Sequence, residues 1–197
     1  MNSWVNAHDR HCGPTSATVR VMDKSRVTAG TVPPPTVRAI PGPGQESVWD
    51  YPRPPRVEAV PEQIRVVVDG YAVADSASAL RVLETAGAPV YYVPPVDVRM
   101  DLLEPTAHHS FCEWKGEASY WSIMLPDRTI QNVAWAYLTP IAGYESIRDY
   151  LAFYAQLVDE AWVGDERATP QPGRFYGGWI TSKIVGPFKG EPGTQGW

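Results

Sequence analysis

A mainly β fold with a few short helices, built as one compact domain behind an extended proline-rich N-terminal arm, is the architecture this sequence predicts. Three observations carry that reading. Eight Trp and ten Tyr suit pleated surfaces and pocket walls. Twenty Pro and sixteen Gly break helices and mark turns. A hydrophobic fraction of 44% in 197 residues supplies one real core but not several.

Charge and hydropathy remove several classes of function. The net charge is −5 and the basic residues are scattered, which argues against a nucleic-acid partner. No apolar run reaches the ~20 residues that cross a bilayer, so a membrane partner is not expected. The N-terminus carries no apolar signal region, and the default is a soluble, cytoplasmic protein that meets a small-molecule substrate or ligand. The oligomeric state is not legible. Cys12 and Cys112 make a poor disulfide framework and read as free thiols.

Residues 1–40 lack periodicity and read as an irregular or flexible segment; the domain proper is expected over 41–197. His8, His11 and Cys12 lie close together, but without a fourth ligand at metal-site spacing they read as part of a loose arm. Between 41 and 56, prolines hold the chain extended. This arm is expected to lie across the domain, anchored by Trp49 and Tyr51; a sharper reading makes it one wall of a pocket, with Glu46 and Arg53 as its polar groups. Ile64 to Val68 is a strand, Asp69-Gly70 a hairpin turn, and Tyr71 to Ala74 the return. Ser76 is placed to cap a short helix over Ala77 to Thr85. Val90 to Val93 is a strand, and Asp97 to Glu104 one or two helical turns ended by Pro105. Ser119 to Leu125 and Thr129 to Tyr137 alternate as paired strands around Pro126-Asp127. Ile147, Tyr150, Leu151 and Tyr154 predict a helix over Glu145 to Ala155, followed by a strand over Val158 to Val163. The aromatic tail is expected to pack back onto the domain.

The chemistry concentrates between Phe111 and Ser122. Cys112 precedes Lys115, and an ammonium near a thiol favours the reactive thiolate; His108 or His109 is near enough in sequence to serve as a base. A buried, purely structural Cys112 is the alternative. Trp114-Lys115-Gly116 puts an ammonium on a turn beside an apolar plate, suited to a carboxylate or phosphate on a ring-bearing ligand. A turn lysine lying over tryptophan is the plainer account. The same pattern recurs at Phe188-Lys189-Gly190. Glu46, Asp50, Glu113 and Glu117 are candidate carboxylates for acid–base work or magnesium. No zinc-ligand spacing, phosphate loop or serine-nucleophile elbow is present, so no metal site is assigned. Trp49, Trp114, Trp121, Trp135 and Trp179 form either an aromatic box or ordinary core.

Five ordered motifs carry a family resemblance. They are Glu-Ser-Val-Trp-Asp-Tyr-Pro-Arg-Pro (46–54), Val-Tyr-Tyr-Val-Pro (90–94), Cys-x-x-Lys-Gly-x-Ala-x-Tyr (112–120), Val-Ala-Trp-x-Tyr (133–137) and Phe-Tyr-Gly-Gly-Trp-Ile-Thr (175–181). From about Pro41 to Trp197 the chain resembles the bacterial and fungal family called DUF427. The resemblance implies a compact β domain of Mss4-like or β-tent topology, like methionine sulfoxide reductase B and the ligand-binding domain of cereblon. Those proteins carry zinc on two Cys-x-x-Cys pairs; this chain has neither, so zinc is not carried over. The family also goes under a nucleotidyltransferase label, which would bring magnesium as the one cofactor, although no residue pattern here independently supports it. The resemblance marks Cys112, Lys115, Gly116, Trp135 and Trp179 as site positions.

Two function classes follow. In the first, the protein is an enzyme on a small polar metabolite: Lys115 and Arg53 hold an anionic group, Cys112 reacts, and Glu46 or a histidine moves a proton. In the second, it is a binding module without turnover, its pocket walled by Trp49, Trp114, Trp135, Tyr137 and Trp179. A protein-interaction role for the proline-rich arm is a third reading.

Overall fold

The computed structural model describes residues 38–194 and 197, all within the compact unit Val32–Trp197. The expectations for His8, His11 and Cys12 lie outside the described residues. Strands β1 (Glu46–Ser47), β2 (Arg56–Ala59), β3 (Ile64–Val68), β4 (Tyr71–Ser76), β5 (Leu80–Leu83) and β6 (Val90–Val93) come first. Two single 3-10 turns, Pro95–Asp97 and Met100–Leu102, lead into the long strands β7 (Leu103–Cys112), β8 (Gly116–Leu125) and β9 (Arg128–Ala136). A third turn, Glu145–Ile147, precedes β10 (Leu151–Phe153), β11 (Glu160–Val163), β12 (Glu166–Arg167), β13 (Thr169–Pro170), β14 (Trp179–Ile180) and β15 (Ile184–Val185). The fold is mainly β with short helical turns. Among the described residues no helix is long and apolar enough to cross a membrane.

A seven-stranded antiparallel sheet in the order β2-β5-β6-β10-β9-β8-β7 is the frame. A four-stranded sheet, β12-β11-β3-β4, shares the main core with it. Successive side chains of a strand point to opposite faces, and the Tyr91-Tyr92 pair in β6 shows the result. Tyr91 joins Val66, Val73, Ile123, Phe153 and Trp179 in the main core. Tyr92 turns the other way and joins Tyr120, Trp135, Tyr137 and Ala152 in a second, aromatic cluster. That second face carries the candidate site.

Two expected helices are strands in part. Residues 80–83 pair with β2 on one side and β6 on the other. The Ser76 hydroxyl donates to Asp97 at 2.6 Å and accepts the Ser78 N–H at 3.0 Å, a local turn rather than a helix cap. Sheet pairing on both sides overrides a weak helical preference there. The expected helix over Glu145 to Ala155 stops after one 3-10 turn, because Asp149 takes a left-handed φ of 64°. The next three residues, Leu151–Phe153, are buried on both faces of a central strand, which imitates helical spacing by showing no alternation. Pro105 ends no helix either; it sits inside β7 next to a register shift against β8.

The arm and the tail behave as expected. Val48, Trp49 and Tyr51 form a third cluster with Leu83 and Ile184, and Phe188 and Trp197 pack against it. Trp49 donates its indole N–H to the Pro187 carbonyl at 2.8 Å and meets the Trp197 ring edge-on at 5.0 Å. β1 and β15 pair in parallel, so the two ends of the domain are stitched together.

The returning segment crosses the aromatic face at Gly177-Gly178. A Cβ on Gly177 would overlap the ring of Trp135, and one on Gly178 would overlap the side-chain carbonyl of Gln171. Only glycine permits this approach. Gly177→Ala is therefore expected to cost about 1–3 kcal/mol, read as a lower midpoint in thermal denaturation. An unchanged midpoint would show that the segment does not rest on Trp135.

Candidate ligand-binding site

The tip of the β7–β8 hairpin places the central motif. Cys112 pairs with Gly116 across the three-residue loop Glu113-Trp114-Lys115. Gly116 has a φ of 95°, the left-handed geometry that closes such a hairpin and favours glycine. The Lys115 carbonyl accepts the Ile141 N–H at 3.1 Å, which anchors the tip to the loop after β9. The Cys-x-x-Lys-Gly spacing is thus a turn that presents a thiol and an ammonium to the same side.

What they meet is a cavity of about 450 Å³ on the aromatic face of the large sheet. Tyr92, Tyr120, Trp135, Tyr137 and Tyr154 line it. Trp135 and Tyr154 stack at 4.5 Å with planes tilted by 43°, and Tyr92 stands edge-on to Trp135 at 6.3 Å. Phe111 and Phe175, each 74% exposed, stand on its rim.

Lys115 is the charged group at the centre of this arrangement. It is only 7% exposed. Its Nζ lies 5.9 Å from the centre of the Tyr137 ring, and it lines the cavity. Among the described residues it has no ion-pair partner within 4.0 Å. An ammonium on a largely buried residue gains from a nearby negative charge, and the Glu84 carboxylate, held down in part by Lys115, is one such charge.

Glu84, Lys189 and Arg53 form the polar edge. Lys189 Nζ lies 3.1 Å and Arg53 Nη2 3.3 Å from Glu84 Oε1. Burial would raise the Glu84 carboxyl, but the charges of Lys189 and Lys115, the hydrogen bond from Lys189 and the charge of Arg53 outweigh it and hold the group below its ordinary value. Gln171 fixes the returning segment here, accepting the Ala88 N–H at 2.8 Å and donating to the Lys189 carbonyl at 2.9 Å. Burial pushes the Tyr137 phenol up, and the neighbouring Tyr92 and Cys112 reinforce that. Its hydroxyl therefore stays protonated and able to donate at neutral pH.

The sequence-derived candidates divide accordingly. Cys112, Lys115, Trp114, Trp135 and Tyr137 line the cavity. Arg53 reaches it through Glu84, and Glu113 lies 4.0 Å from the same guanidinium. Glu46 is elsewhere: it accepts from Tyr51 at 2.7 Å and Arg81 at 2.9 Å and locks the arm to β5. Trp49 belongs to the arm cluster. Trp179 is main core at 1% exposure, its indole N–H donating to the Phe153 carbonyl at 2.9 Å. His109 pairs with Glu117 on the exposed strand at 3.4 Å. Glu84 and Gln171 were not singled out by the sequence; Glu84 sits in a segment read as helix, and nothing in the local pattern of Gln171 announces a fastener.

Two side-chain polar atoms among the described residues are buried without a hydrogen-bond partner, Trp114 Nε1 and Gln156 Oε1. Trp114 lines this cavity and Gln156 a neighbouring one. Unsatisfied groups of this kind call for an explanation, and both fall on cavity walls. No group of three or more His, Cys, Asp or Glu among the described residues is placed to hold a metal ion.

Residues 56–164 match the family described as Domain of unknown function (DUF427), which carries the label NTP_transf_9. The chain belongs to the DUF427 family. No curated protein matches it. The span shared with DUF427 contains Glu84, Tyr92, the Cys112–Gly116 tip, Trp135 and Tyr137, whereas Gln171, Tyr176, Gly177 and Lys189 lie beyond it.

The Glu84 cluster has a pH signature. A carboxyl held below its ordinary value stabilises the fold above that value, and the contribution is lost as pH falls through the depressed one. Glu84→Gln should lower unfolding free energy by about 2 kcal/mol at pH 7. The gap from wild type should close as the pH drops below the ordinary glutamate range. Urea unfolding across pH reads it, and a gap that persists at low pH would refute the charge assignment.

Proposed function

We propose that the cavity binds a small, flat organic anion, with its ring among Tyr92, Trp135, Tyr137 and Tyr154 and its acidic group on Lys115. The observation that carries this reading is Lys115, a residue only 7% exposed whose ammonium opens onto an aromatic-lined cavity with no ion-pair partner within 4.0 Å among the described residues. A cavity of that size, mostly apolar with few convergent polar groups, suits a small ligand. Lys189 adds positive charge at the same edge, while Glu84 is already neutralised by its own partners.

The nucleotidyltransferase label attached to the family suggests a triphosphate with magnesium. The donor set does not fit that ion: of the two cavity carboxylates, Glu84 is engaged by Lys189 and Arg53, and Glu113, on the hairpin tip, lies 4.0 Å from that same guanidinium. No step through magnesium is derived.

Turnover of the bound anion is a second reading, favoured by the Cys112 thiol lining the cavity beside the aromatic cluster that contains Tyr137. Under it, Cys112 is the reactive group and Lys115 orients the substrate. Cys112→Ala would then leave binding intact and stop product formation.

The test is calorimetry and thermal shift with aromatic carboxylates, aryl phosphates, the matching neutral amides, and nucleoside triphosphates with and without magnesium. Wild type should bind the anions and not the amides. Lys115→Met should weaken anion binding by about tenfold or more while remaining folded. Equal binding of anion and amide, or stabilisation by triphosphate only when magnesium is present, would overturn the proposal.

A further inference from the structure

A second cavity, of about 530 Å³, adjoins the first and shares Tyr120 and Tyr154 with it. Its chemistry differs. Where the first is walled by rings, this one is lined by His108, Gln131, Asn132, Gln156 and Arg174, and no carboxylate lines it.

Two of its amides are tethered by neighbouring hydroxyls. The Ser122 hydroxyl donates to Gln131 Oε1 at 3.1 Å, and the Thr106 hydroxyl donates to Asn132 Oδ1 at 2.7 Å. Bonded through their oxygens in this way, the two amides keep their N–H groups available to donate. Neither amide nitrogen has a hydrogen-bond acceptor among the described residues. Arg174 adds a guanidinium with no ion pair among those residues. The His108 ring is held edge-on to Tyr120 at 4.5 Å. The unmet acceptor, Gln156 Oε1, suits a hydroxyl or water accompanying the ligand.

The backbone is irregular at the same place. Register shifts fall between Pro105 and His109 on the β7–β8 pair and between Trp121 and Ile123 on the β8–β9 pair. Asn132 takes a left-handed φ of 52° inside β9. Bulges re-aim side chains, and strained non-glycine residues persist where the surroundings enforce them. Here the irregularities fall at Gln131 and Asn132, which line the second cavity, while Tyr120 and Tyr154 line both.

We infer that the ligand is bifunctional: one acidic group sits on Lys115, its ring lies against the shared tyrosines, and a second anionic oxygen group enters the adjoining cavity to accept hydrogen bonds from Gln131, Asn132 and Arg174. This rests on the anion-binding reading of the first cavity and narrows its substrate class to diacids with a flat spacer. Between the two cavities, the Ser110 and Tyr120 hydroxyls share a hydrogen bond of 2.8 Å and form the polar sill over which the spacer passes.

The experiment is calorimetry on the full chain with matched pairs: benzoate and terephthalate, biphenyl-4-carboxylate and biphenyl-4,4′-dicarboxylate, and 4-carboxyphenyl phosphate to separate a carboxylate from a phosphate at the second position. In at least one spacer length the diacid should bind about tenfold or more tightly than its monoacid, the worth of one charge-assisted hydrogen bond. Arg174→Gln and Gln131→Ala, both at exposed positions, should bring diacid affinity down to that of the monoacid and leave monoacid affinity unchanged. Monoacid binding that depends on Lys115 but shows no diacid preference at any length would overturn the second subsite alone. Equal weakening of both members of a pair by Arg174→Gln would do the same. Failure of every acid to bind would overturn both this inference and the reading beneath it.

Discussion

A lysine that is almost wholly covered must still give its ammonium somewhere polar to point, and much of this structure is arranged around one such residue. Lys115 sits at a hairpin tip whose geometry requires Gly116 at a left-handed φ and whose backbone is pinned by Ile141. The tip directs the side chain over Tyr137 and away from water. The large sheet supplies the face; the arm and the returning segment supply Arg53, Gln171 and Lys189 at its edge. Glu84 keeps those added cations from simply repelling Lys115, because its charge is shared among them. Remove the hairpin geometry and the aromatic face is only a second core.

That distinction between core and cavity is where sequence reasoning divides. The β character, the hairpins and the packing of the tail follow from aromatic content, turn residues and alternation, and they match the structure. The Cys112–Lys115 stretch was legible as a candidate site because a glycine-closed turn with a thiol and an ammonium is chemically unusual, and the structure places both residues on a cavity wall. Trp135 and Trp179 looked equivalent, yet one lines the cavity and the other fills the main core. Facing is set by strand register, and the register shifts in β7, β8 and β9 cannot be read from side-chain pattern. The two misplaced helices fail for a related reason: short central strands covered on both faces carry no alternation, so residues 151–153 borrow the spacing of their neighbours.

Glu46 and Glu84 show the same limit for charged groups. Both are glutamates near an arginine, and both belong to networks that join distant segments. Glu46 ties the arm to β5 through Arg81, whereas Glu84 faces the cavity. Only the three-dimensional pairing separates a fastener from a site wall, since the partners lie 35 and 105 residues away in sequence.

The segment that returns over the aromatic face contributes part of the cavity lining. Phe175, Tyr176, Gly177 and Lys189 come from a segment outside the span shared with DUF427, while the sheet and the lysine-bearing tip lie inside it. Scaffold and anchoring charge are thus encoded apart from much of the lining that a ligand's outer edge would touch. Within that segment, Phe175 stands 74% exposed on the rim and is independent of the strands, whereas Gly177, Trp179 and Lys189 are tied to Trp135, the main core and Glu84.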